Sequence, residues 1–179
     1  MKLKDKPAIY YSELEYGEWR IYMAATLKGL CYVGSQDKTF EQLSDWVKRH
    51  FPGSLLLLDR VKLQPYKEQL IEYFQGIRLS FTLPFDLRGT SFQRTVWEAL
   101  GKIPYGQTCS YSDIAQEIQN QKAVRAIGAA IGANPVLITI PCHRVVGKNG
   151  RLTGYRDGLE MKEKLLHLEQ GNLPVTLKR

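Results

Sequence analysis

The chemistry in this sequence is concentrated at a cysteine and a histidine that stand side by side, Cys142 and His143. A free thiol with a pKa of about 8.5 is only a few per cent thiolate at neutral pH, so a nucleophilic cysteine needs a base or a positive environment. His143 is placed to act as that base, directly or through a water. The alternative is a small buried thiol beside a core histidine, and since buried free cysteine is common, the pair alone does not decide.

A carboxylate later in the chain is a candidate partner for this histidine. The pattern of leucines predicts a helix over 159–170, closed by Gly171, with an apolar stripe that begins at Leu159. Glu169 lies in the same sector of that helix, and a carboxylate on a buried stripe is costly unless it is paired or hydrogen-bonded. We therefore expect Glu169 to pair with His143, or else to reach water at a frayed helix end.

Short predicted elements precede the Cys-His pair. The apolar run 136–140 predicts a buried strand, and two short helices, over 112–118 and 122–133, are predicted before it with a tight polar turn between them. Capping boxes with Thr90 and Ser110 as N-cap residues mark the start of an earlier helix and of the first of this pair. Two helices so joined resemble a helix-turn-helix, although many small helical domains contain such a pair.

The predicted helix over 122–133 carries few side chains on its outward face. Two glycines within a helix cost about 1 kcal/mol each relative to alanine, so close approach to another surface should compensate for them. A phosphate backbone is one candidate surface, and another helix of the same protein is the alternative. The outward residues are Arg125, Gly128, Ala129 and Gly132, and the inward residues are Ala123, Val124, Ile127, Ala130 and Ile131.

Charge is distributed unevenly along the 179 residues. The chain has 25 basic and 18 acidic side chains and a formal net charge of +7. Residues 1–87 hold 12 basic against 11 acidic side chains, whereas residues 88–179 hold 13 against 7. A near-neutral first half and a basic second half predict that the second half meets a polyanion, with simple solubility charge as the alternative.

The sequence predicts a cytoplasmic protein without a membrane segment. Its three cysteines are far apart and odd in number, which is typical of reduced thiols. The stretch 1–7 alternates charge with no apolar core after it, unlike a signal sequence, and no run approaches the roughly 20 apolar residues that cross a bilayer. Cys31 and His50 are too few to form a four-ligand zinc site in the first half.

The first half is predicted to be a small α/β domain, residues 1–87, followed by a second domain, residues 88–179. Its aromatic and leucine side chains are interpreted as core, and they form no chemical constellation. A connector over 83–89 joins the two domains. The predicted elements are strands over 9–12, 19–27 and 30–35, a helix that contains Phe40, Leu43 and Val47, and a helix that opens at Pro65 and ends at Gly76.

Several motifs form one set between Gly89 and Glu169. They are Phe92-Gln93, Val96-Trp97, Ile103-Pro104-Tyr105-Gly106, Ser110-Tyr111, Arg125-Ala126-Ile127-Gly128, Asn134-Pro135, Pro141-Cys142-His143-Arg144 and Leu165-Leu166-x-x-Glu169. This set resembles the O6-alkylguanine-DNA alkyltransferases, also called methylated-DNA–protein-cysteine methyltransferases, and the Pro-Cys-His-Arg sequence is highly specific in this setting. The resemblance implies an α+β fold, with a small N-terminal α/β domain that is ribonuclease H-like and a C-terminal helical domain that is winged-helix-like and contains the helix-turn-helix.

The resemblance also implies a DNA repair protein that acts once. This family moves the alkyl group from O6 of guanine, and less readily from O4 of thymine, onto its own cysteine without a soluble methyl donor or other cofactor. Cys142 matches the acceptor, His143 would take the thiol proton through a water, and Glu169 would hold the other imidazole nitrogen. Asn134 matches the residue that ties the recognition helix to the active-site network. Tyr111 would donate a proton or hydrogen bond toward guanine N3.

Contact with double-stranded DNA follows from the same resemblance. An alkyl carbon on a stacked base cannot meet a buried thiolate in line, so the nucleotide must leave the duplex. Arg125 would replace it in the stack, while Ala126, Gly128 and Ala129 rest in the minor groove and Tyr111 lies at the extruded base. No metal is implied for this chain, and a monomer is expected.

The sequence departs from the family pattern after Tyr155, where Arg156 and Asp157 replace a small residue that is usually followed by glycine. That segment lines the alkyl pocket in relatives. We therefore expect Tyr155, Arg156 and Asp157 to line a narrower site that favours methyl over bulky alkyl groups. Arg144 is expected to be a structural ion-pair residue, and Cys31 and Cys109 are expected to be plain thiols.

Two other functions fit part of this pattern. Relatives exist that bind alkylated DNA but have lost the cysteine, so a non-enzymatic lesion-binding protein is the main alternative. Retention of Cys142 together with His143 and Glu169 argues against it. A Cys-His hydrolase is the other alternative, but it would leave the helix-turn-helix and the basic half without a role.

Overall fold

A computed structural model of the chain describes residues 6–156 and 158–173. It has an N-terminal domain built on a sheet and a C-terminal domain built mainly of helices. The predicted α+β fold class is confirmed.

The N-terminal domain is one four-stranded sheet with two helices. Its elements are β1 (Ala8–Tyr16), β2 (Trp19–Ala25), β3 (Leu30–Val33), α1 (Phe40–His50), β4 (Leu55–Leu58) and α2 (Arg60–Phe74). The strand order is β3-β2-β1-β4, in which β1 pairs antiparallel with β2 and parallel with β4. The parallel strands β1 and β4 need a long crossover connection, because a hairpin joins only antiparallel strands. Helix α1 lies within this crossover, which lets β4 pair with the free edge of β1.

The two helices pack into different hydrophobic clusters, because side chains alternate between the faces of a strand. Leu43 of α1 belongs to a small cluster with Ile9 and Ala24 of the sheet. Tyr73 of α2 belongs to the large cluster, which also contains Cys142 and many other residues of the C-terminal domain. Helix α2 therefore lies at the junction of the domains, and its side chains can reach the cysteine's surroundings.

The C-terminal domain surrounds the Cys-His pair with short elements. They are α3 (Ser91–Gly101), β5 (Cys109–Ser110), α4 (Tyr111–Glu117), α5 (Val124–Gly132), β6 (Val145–Val146) and α6 (Leu159–Asn172). Helices α4 and α5 form the predicted helix-turn-helix, with one turn of 3-10 helix over 121–123 between them. The indole Nε1 of Trp97 donates to the Ala130 carbonyl at 2.8 Å and so fastens α3 to α5.

Both predicted capping boxes are present. The Thr90 hydroxyl accepts from the Gln93 backbone N–H at 3.1 Å, and the Gln93 side chain accepts from the Thr90 N–H at 2.9 Å. Ser110 and Asp113 make the same reciprocal pair at 3.1 and 2.7 Å. These caps satisfy amide groups that a helix leaves unpaired, so they fix where α3 and α4 begin.

The predicted strand over 136–140 is wrong, because this run forms turns with only a single bridge between Val136 and Val33. Its backbone bonds locally, with the Ile140 N–H donating to the Val136 carbonyl at 3.1 Å. Ile138 has φ of 71°, a left-handed conformation that is costly for a β-branched residue and incompatible with a strand. Burial explains the apolar run without a sheet, since Val136 and Ile138 are both fully buried.

Further differences from the sequence predictions concern two helices and one strand. Helix α2 begins five residues before Pro65, because the Asp59 side chain caps it by accepting from the Lys62 N–H. Pro65 lies inside the helix and lacks only one backbone N–H donor, which does not end the helix. Helix α6 continues through Gly171 to Asn172. Strand β4 was not predicted, because a run of four leucines has no alternation that would distinguish a strand from a helix.

Candidate functional site

Cys142 sits in a short turn and is held by an amide side chain. Residues 142–144 form one turn of 3-10 helix, and the cysteine side chain is buried, with 2% exposure. The Asn134 Nδ2 donates to Cys142 Sγ at 3.2 Å and to the Ile140 carbonyl at 2.9 Å. Its Oδ1 accepts from the Val136 N–H at 3.0 Å, so the orientation of the amide is fixed. Asn134 follows α5, and it therefore connects that helix to the sulfur.

His143 is fully buried and paired with Glu169, the first of the two arrangements expected from the sequence. Its Nε2 lies 2.7 Å from Glu169 Oε1. An ionised carboxylate only accepts, so Nε2 carries the proton and Nδ1 holds the lone pair. Nδ1 has no hydrogen-bond partner among the described residues. Burial lowers the pKa of His143 against the opposing effect of Glu169, so the ring is neutral and Nδ1 can accept a proton.

Glu169 is fully buried yet surrounded by donors. The Arg144 guanidinium donates to it from Nη2 at 2.9 Å and from Nε at 3.0 Å, and the Gly106 N–H donates at 3.0 Å. The Tyr73 hydroxyl donates to Oε1 at 2.7 Å. Burial alone would raise the pKa of Glu169, but the hydrogen bonds from His143 and Arg144 and the charge of Arg144 lower it to about 2. The carboxylate is therefore ionised, and the expected ion-pair role of Arg144 agrees with its contacts.

The resting form of Cys142 is the neutral thiol. Burial raises the pKa of its thiol, although the Asn134 hydrogen bond and the charges of Arg156 and Lys162 act in the opposite direction. A buried thiol becomes a nucleophile only when a base removes its proton. The neutral imidazole of the next residue is a base of that kind.

Lys162 of α6 was missed in the sequence analysis. It is fully buried and donates to three backbone carbonyls, those of Val145, Thr153 at 2.7 Å and Gly154 at 3.4 Å. The Tyr111 hydroxyl donates to the same Thr153 carbonyl at 3.0 Å. The amine therefore fastens the segment after the Cys-His pair against α6. Lys162 precedes Leu165 by three residues and Glu169 by seven, a spacing that puts it on the buried face of the helix. This spacing was the signal that could have identified Lys162 from the sequence.

The outward face of α5 is open, as the sequence predicted. Arg125, Ala126 and Ala129 are exposed. A Cβ added at Gly128 would meet only the Tyr111 ring at 4.0 Å, and one at Gly132 would meet nothing within 4 Å. Helix packing within the described part of the chain therefore does not occupy these glycines. Val124 was expected to point inward but is 37% exposed, because α5 begins at this residue.

The segment after Tyr155 is only partly described. The Tyr155 hydroxyl is buried, without a hydrogen-bond partner among the described residues, and its pKa is raised by burial and by the nearby thiol of Cys142. Arg156 directs its guanidinium to two backbone carbonyls, Asn134 at 3.0 Å and Val33 at 2.9 Å, and so bridges the domains. Asp157 lies outside the described residues.

Clusters of three or more His, Cys, Asp or Glu side chains suited to a metal ion do not occur within 6–156 and 158–173. No helix of that part of the chain is both long and apolar enough to cross a membrane. Fold and site together define a two-domain protein in which a buried thiol follows a helix-turn-helix and lies next to a histidine–glutamate pair.

Comparison with known proteins places the chain in one family. Residues 91–171 match the DNA binding domain of 6-O-methylguanine DNA methyltransferase, and residues 9–87 match the ribonuclease-like domain of the same family. The chain therefore belongs to the 6-O-methylguanine DNA methyltransferase family. The predicted family and the two-domain architecture are confirmed.

Individual relatives agree with this assignment over most of the chain. The inducible methylated-DNA–protein-cysteine methyltransferase of Bacillus subtilis is 58% identical, covering 93% of each chain. The methylated-DNA–protein-cysteine methyltransferase of Methanosarcina mazei is 40% identical, covering 92% of this chain and 99% of the relative. A Mycobacterium tuberculosis protein of the same class, solved in complex with DNA, aligns with a TM-score of 0.79 at 36% identity, covering 94% of this chain and 98% of that one.

Proposed function

We propose that this protein repairs DNA by transferring the alkyl group of O6-alkylguanine to its own Cys142, once per molecule. The observation that carries the proposal is a chain of four residues at the base of a helix-turn-helix, in which Asn134 is hydrogen-bonded to Cys142 Sγ and the next residue, His143, is hydrogen-bonded to Glu169. That chain supplies a nucleophile, a base and an orienting carboxylate, the combination that activates a neutral nucleophile. A lesion-binding protein without chemistry has no use for it.

In the proposed reaction the sulfur forms a bond to the alkyl carbon while the bond from that carbon to guanine O6 breaks. The thiol proton passes to Nδ1 of His143 through one water, and Glu169 stabilises the imidazolium that forms. The electron pair of the broken bond stays with guanine, and Tyr111 donates toward its N3, so that the base leaves without a full negative charge. The product is a thioether that no group of the site can cleave, so each molecule reacts once.

Extrusion of the nucleotide is proposed to depend on the open face of α5. Unstacking and unpairing cost a few kcal/mol. Arg125 takes the place of the extruded base in the stack, while Ala126, Gly128 and Ala129 let the helix backbone approach the minor groove. Support comes from the exposure of Arg125 and from the free space beside Gly128.

Several features of this proposal concern the protein as a whole. We propose a domain boundary between residues 87 and 88, action as a monomer in the cytoplasm, no cofactor or metal in the reaction, and slower repair of O4-alkylthymine. The boundary is supported by the gap between the two matched family domains, which end at residue 87 and begin at residue 91.

Intact mass after incubation with a duplex that contains O6-methylguanine tests the function directly. We expect the wild-type protein to gain the mass of one methylene and then to stop, because the thioether blocks a second transfer. Cys142→Ser, which keeps the size of the side chain but not the thiol, should gain nothing. An unmodified wild-type protein that still binds the duplex would favour the lesion-binding alternative.

The site is also expected to prefer small alkyl groups. Tyr155, Arg156 and Asp157 are proposed to line the alkyl pocket, and the hydrogen bonds from Arg156 to carbonyls of both domains hold the Arg156 side chain in place. We predict faster transfer from O6-methylguanine than from O6-benzylguanine in the same duplex, measured as single-turnover rates. Equal rates would contradict a narrow pocket.

A further inference from the structure

One side chain of the N-terminal domain reaches the buried carboxylate of the site. The Tyr73 hydroxyl, on α2, donates to Glu169 Oε1 at 2.7 Å and lies 3.5 Å from His143 Nε2. All three side chains are fully buried. The sequence analysis interpreted the aromatic residues of this helix as core, and the ring of Tyr73 is indeed packed there, against Phe74, Phe81 and Tyr105.

We infer that Tyr73 is a positioning residue of the transfer reaction, through which the N-terminal domain sets the orientation and basicity of the Glu169–His143 pair. This inference rests on the proposed function and adds a residue that lies outside the DNA-binding domain. Core packing accounts for the ring, but a phenylalanine would fill the same space. A hydroxyl held 2.7 Å from a carboxylate oxygen needs a separate explanation.

The hydroxyl competes with the imidazole for one carboxylate oxygen. Oε1 accepts from Tyr73, from His143 and from Arg144 Nη2, at 2.7, 2.7 and 2.9 Å. Each donor withdraws negative charge that would otherwise stabilise the imidazolium, so the Tyr73 hydrogen bond lowers the basicity of His143. The other groups that act on this ring are Glu169, which favours its charged form, and Arg144 and Lys162, which oppose it.

Tyr73 remains a donor across the range in which the protein works. Burial and the nearby Glu169 charge raise the pKa of its hydroxyl well above the ordinary value of about 10, so it does not ionise. Tyr105 also faces Glu169, and burial raises the pKa of its hydroxyl as well. Both phenols are therefore neutral. Burial lowers the pKa of Lys162 to about 8, so this amine loses its charge at the alkaline end of the range, and the acid limb is the part of the profile that reports His143.

The test compares Tyr73→Phe with Tyr66→Phe, a half-buried tyrosine of the same helix with no hydrogen bond to any described residue. Single-turnover methyl transfer is followed from pH 5 to pH 9 by intact mass. For Tyr73→Phe we expect the plateau rate to fall about threefold to tenfold, because the loss of one hydrogen bond that orients the Glu169–His143 pair outweighs the gain in basicity. The midpoint of the acid limb should move to higher pH, because His143 becomes more basic. Tyr66→Phe should retain the wild-type rate and profile.

The results for Tyr73→Phe and for the wild type distinguish the positioning role of Tyr73 from the proposed function. An unchanged rate and profile in Tyr73→Phe, or a lower rate with an unmoved acid limb, would overturn the positioning role while the proposed function stands. A wild-type protein that transfers no methyl group would overturn the proposed function, and this inference with it. The wild-type reaction therefore separates the two failures.

A second substitution keeps the test valid where Tyr73→Phe does not fold. Replacement of Tyr73 by 3-fluorotyrosine keeps the ring and the hydroxyl but makes the hydroxyl a stronger donor. The acid limb should then move to lower pH, the direction opposite to that of phenylalanine. An acid limb that does not move would overturn the inference.

Discussion

Replacement of Arg144 by methionine is expected to lower the free energy of unfolding by about 3–5 kcal/mol, because it leaves the buried Glu169 without its main counter-charge. Methionine fills much of the same volume, so the loss reports the charge rather than a cavity. The guanidinium also donates from Nη1 to the Ile103 carbonyl at 2.6 Å, and this carbonyl would lose its partner. Urea denaturation at pH 7 measures the difference.

The Arg144–Glu169 ion pair also predicts how the free energy of unfolding depends on pH. The pKa of Glu169 falls from 4.5 to about 2 on folding, so the folded state binds fewer protons than the unfolded state between these values. The stabilisation is complete above about pH 4.5 and is lost as the pH falls toward 2, an effect on the order of 3 kcal/mol. In Arg144→Met the pKa of Glu169 rises in the folded state but not in the unfolded state, so the loss of stability below about pH 4.5 should end at a higher pH and be smaller.

A matched control distinguishes the loss of the buried Arg144–Glu169 pair from the general effect of removing one positive charge. Arg94 lies on the exposed side of α3, and Arg94→Met should change the free energy of unfolding by less than about 0.5 kcal/mol. A loss below about 1 kcal/mol in Arg144→Met, similar to that of the control, would mean that the buried pair contributes little.

The sequence was sufficient where local chemistry decides the structure. Capping boxes at Thr90 and Ser110 fixed two helix starts, because the side chains that satisfy the first amides lie within three residues of them. Glu169 could be singled out because a carboxylate on an apolar stripe demands a partner, and its 2.7 Å contact with His143 is one of the two arrangements that the pattern left open. The open face of α5 followed from its glycines in the same way.

The sequence was insufficient where contacts between distant segments decide. The run 136–140 is as apolar as a strand, but its amides bond within the turn and to Val33 of the other domain. Nothing local to Tyr73 indicates that its hydroxyl meets a carboxylate 96 residues later. Such a contact depends on how α2 packs against the C-terminal domain, which the pattern of one helix does not encode.

Lys162→Met is expected to slow methyl transfer by roughly tenfold to a hundredfold, since small displacements of reacting groups have effects of this size. The amine holds the carbonyls of Val145 and Thr153, which lie on either side of the loop after the Cys-His pair. Without it, Tyr111 loses a fixed partner, because its own acceptor is the same Thr153 carbonyl. The positive charge that favours the Cys142 thiolate is lost as well.

Lys164→Met provides the control on the same helix. Its amine is partly exposed and pairs with Glu18 at 3.1 Å, a surface interaction that solvent screens and that contributes little to stability. The control should keep the wild-type transfer rate. If Lys162→Met also keeps that rate, the loop does not need the amine for its position.

Stability at high pH distinguishes the buried amine from an ordinary lysine. Burial lowers the pKa of Lys162 from 10.5 to about 8, so between these values the unfolded chain binds a proton that the folded chain does not. The contribution of this group to the free energy of unfolding therefore rises with pH over that interval, because the folded state no longer has to bury a charge. Methionine does not titrate. The free energy of unfolding of the wild type should therefore increase relative to that of Lys162→Met from about pH 8 to pH 10.5. A difference that stays constant would show that the amine titrates as it does in the unfolded chain, and that its burial among three carbonyls carries no penalty for the charge.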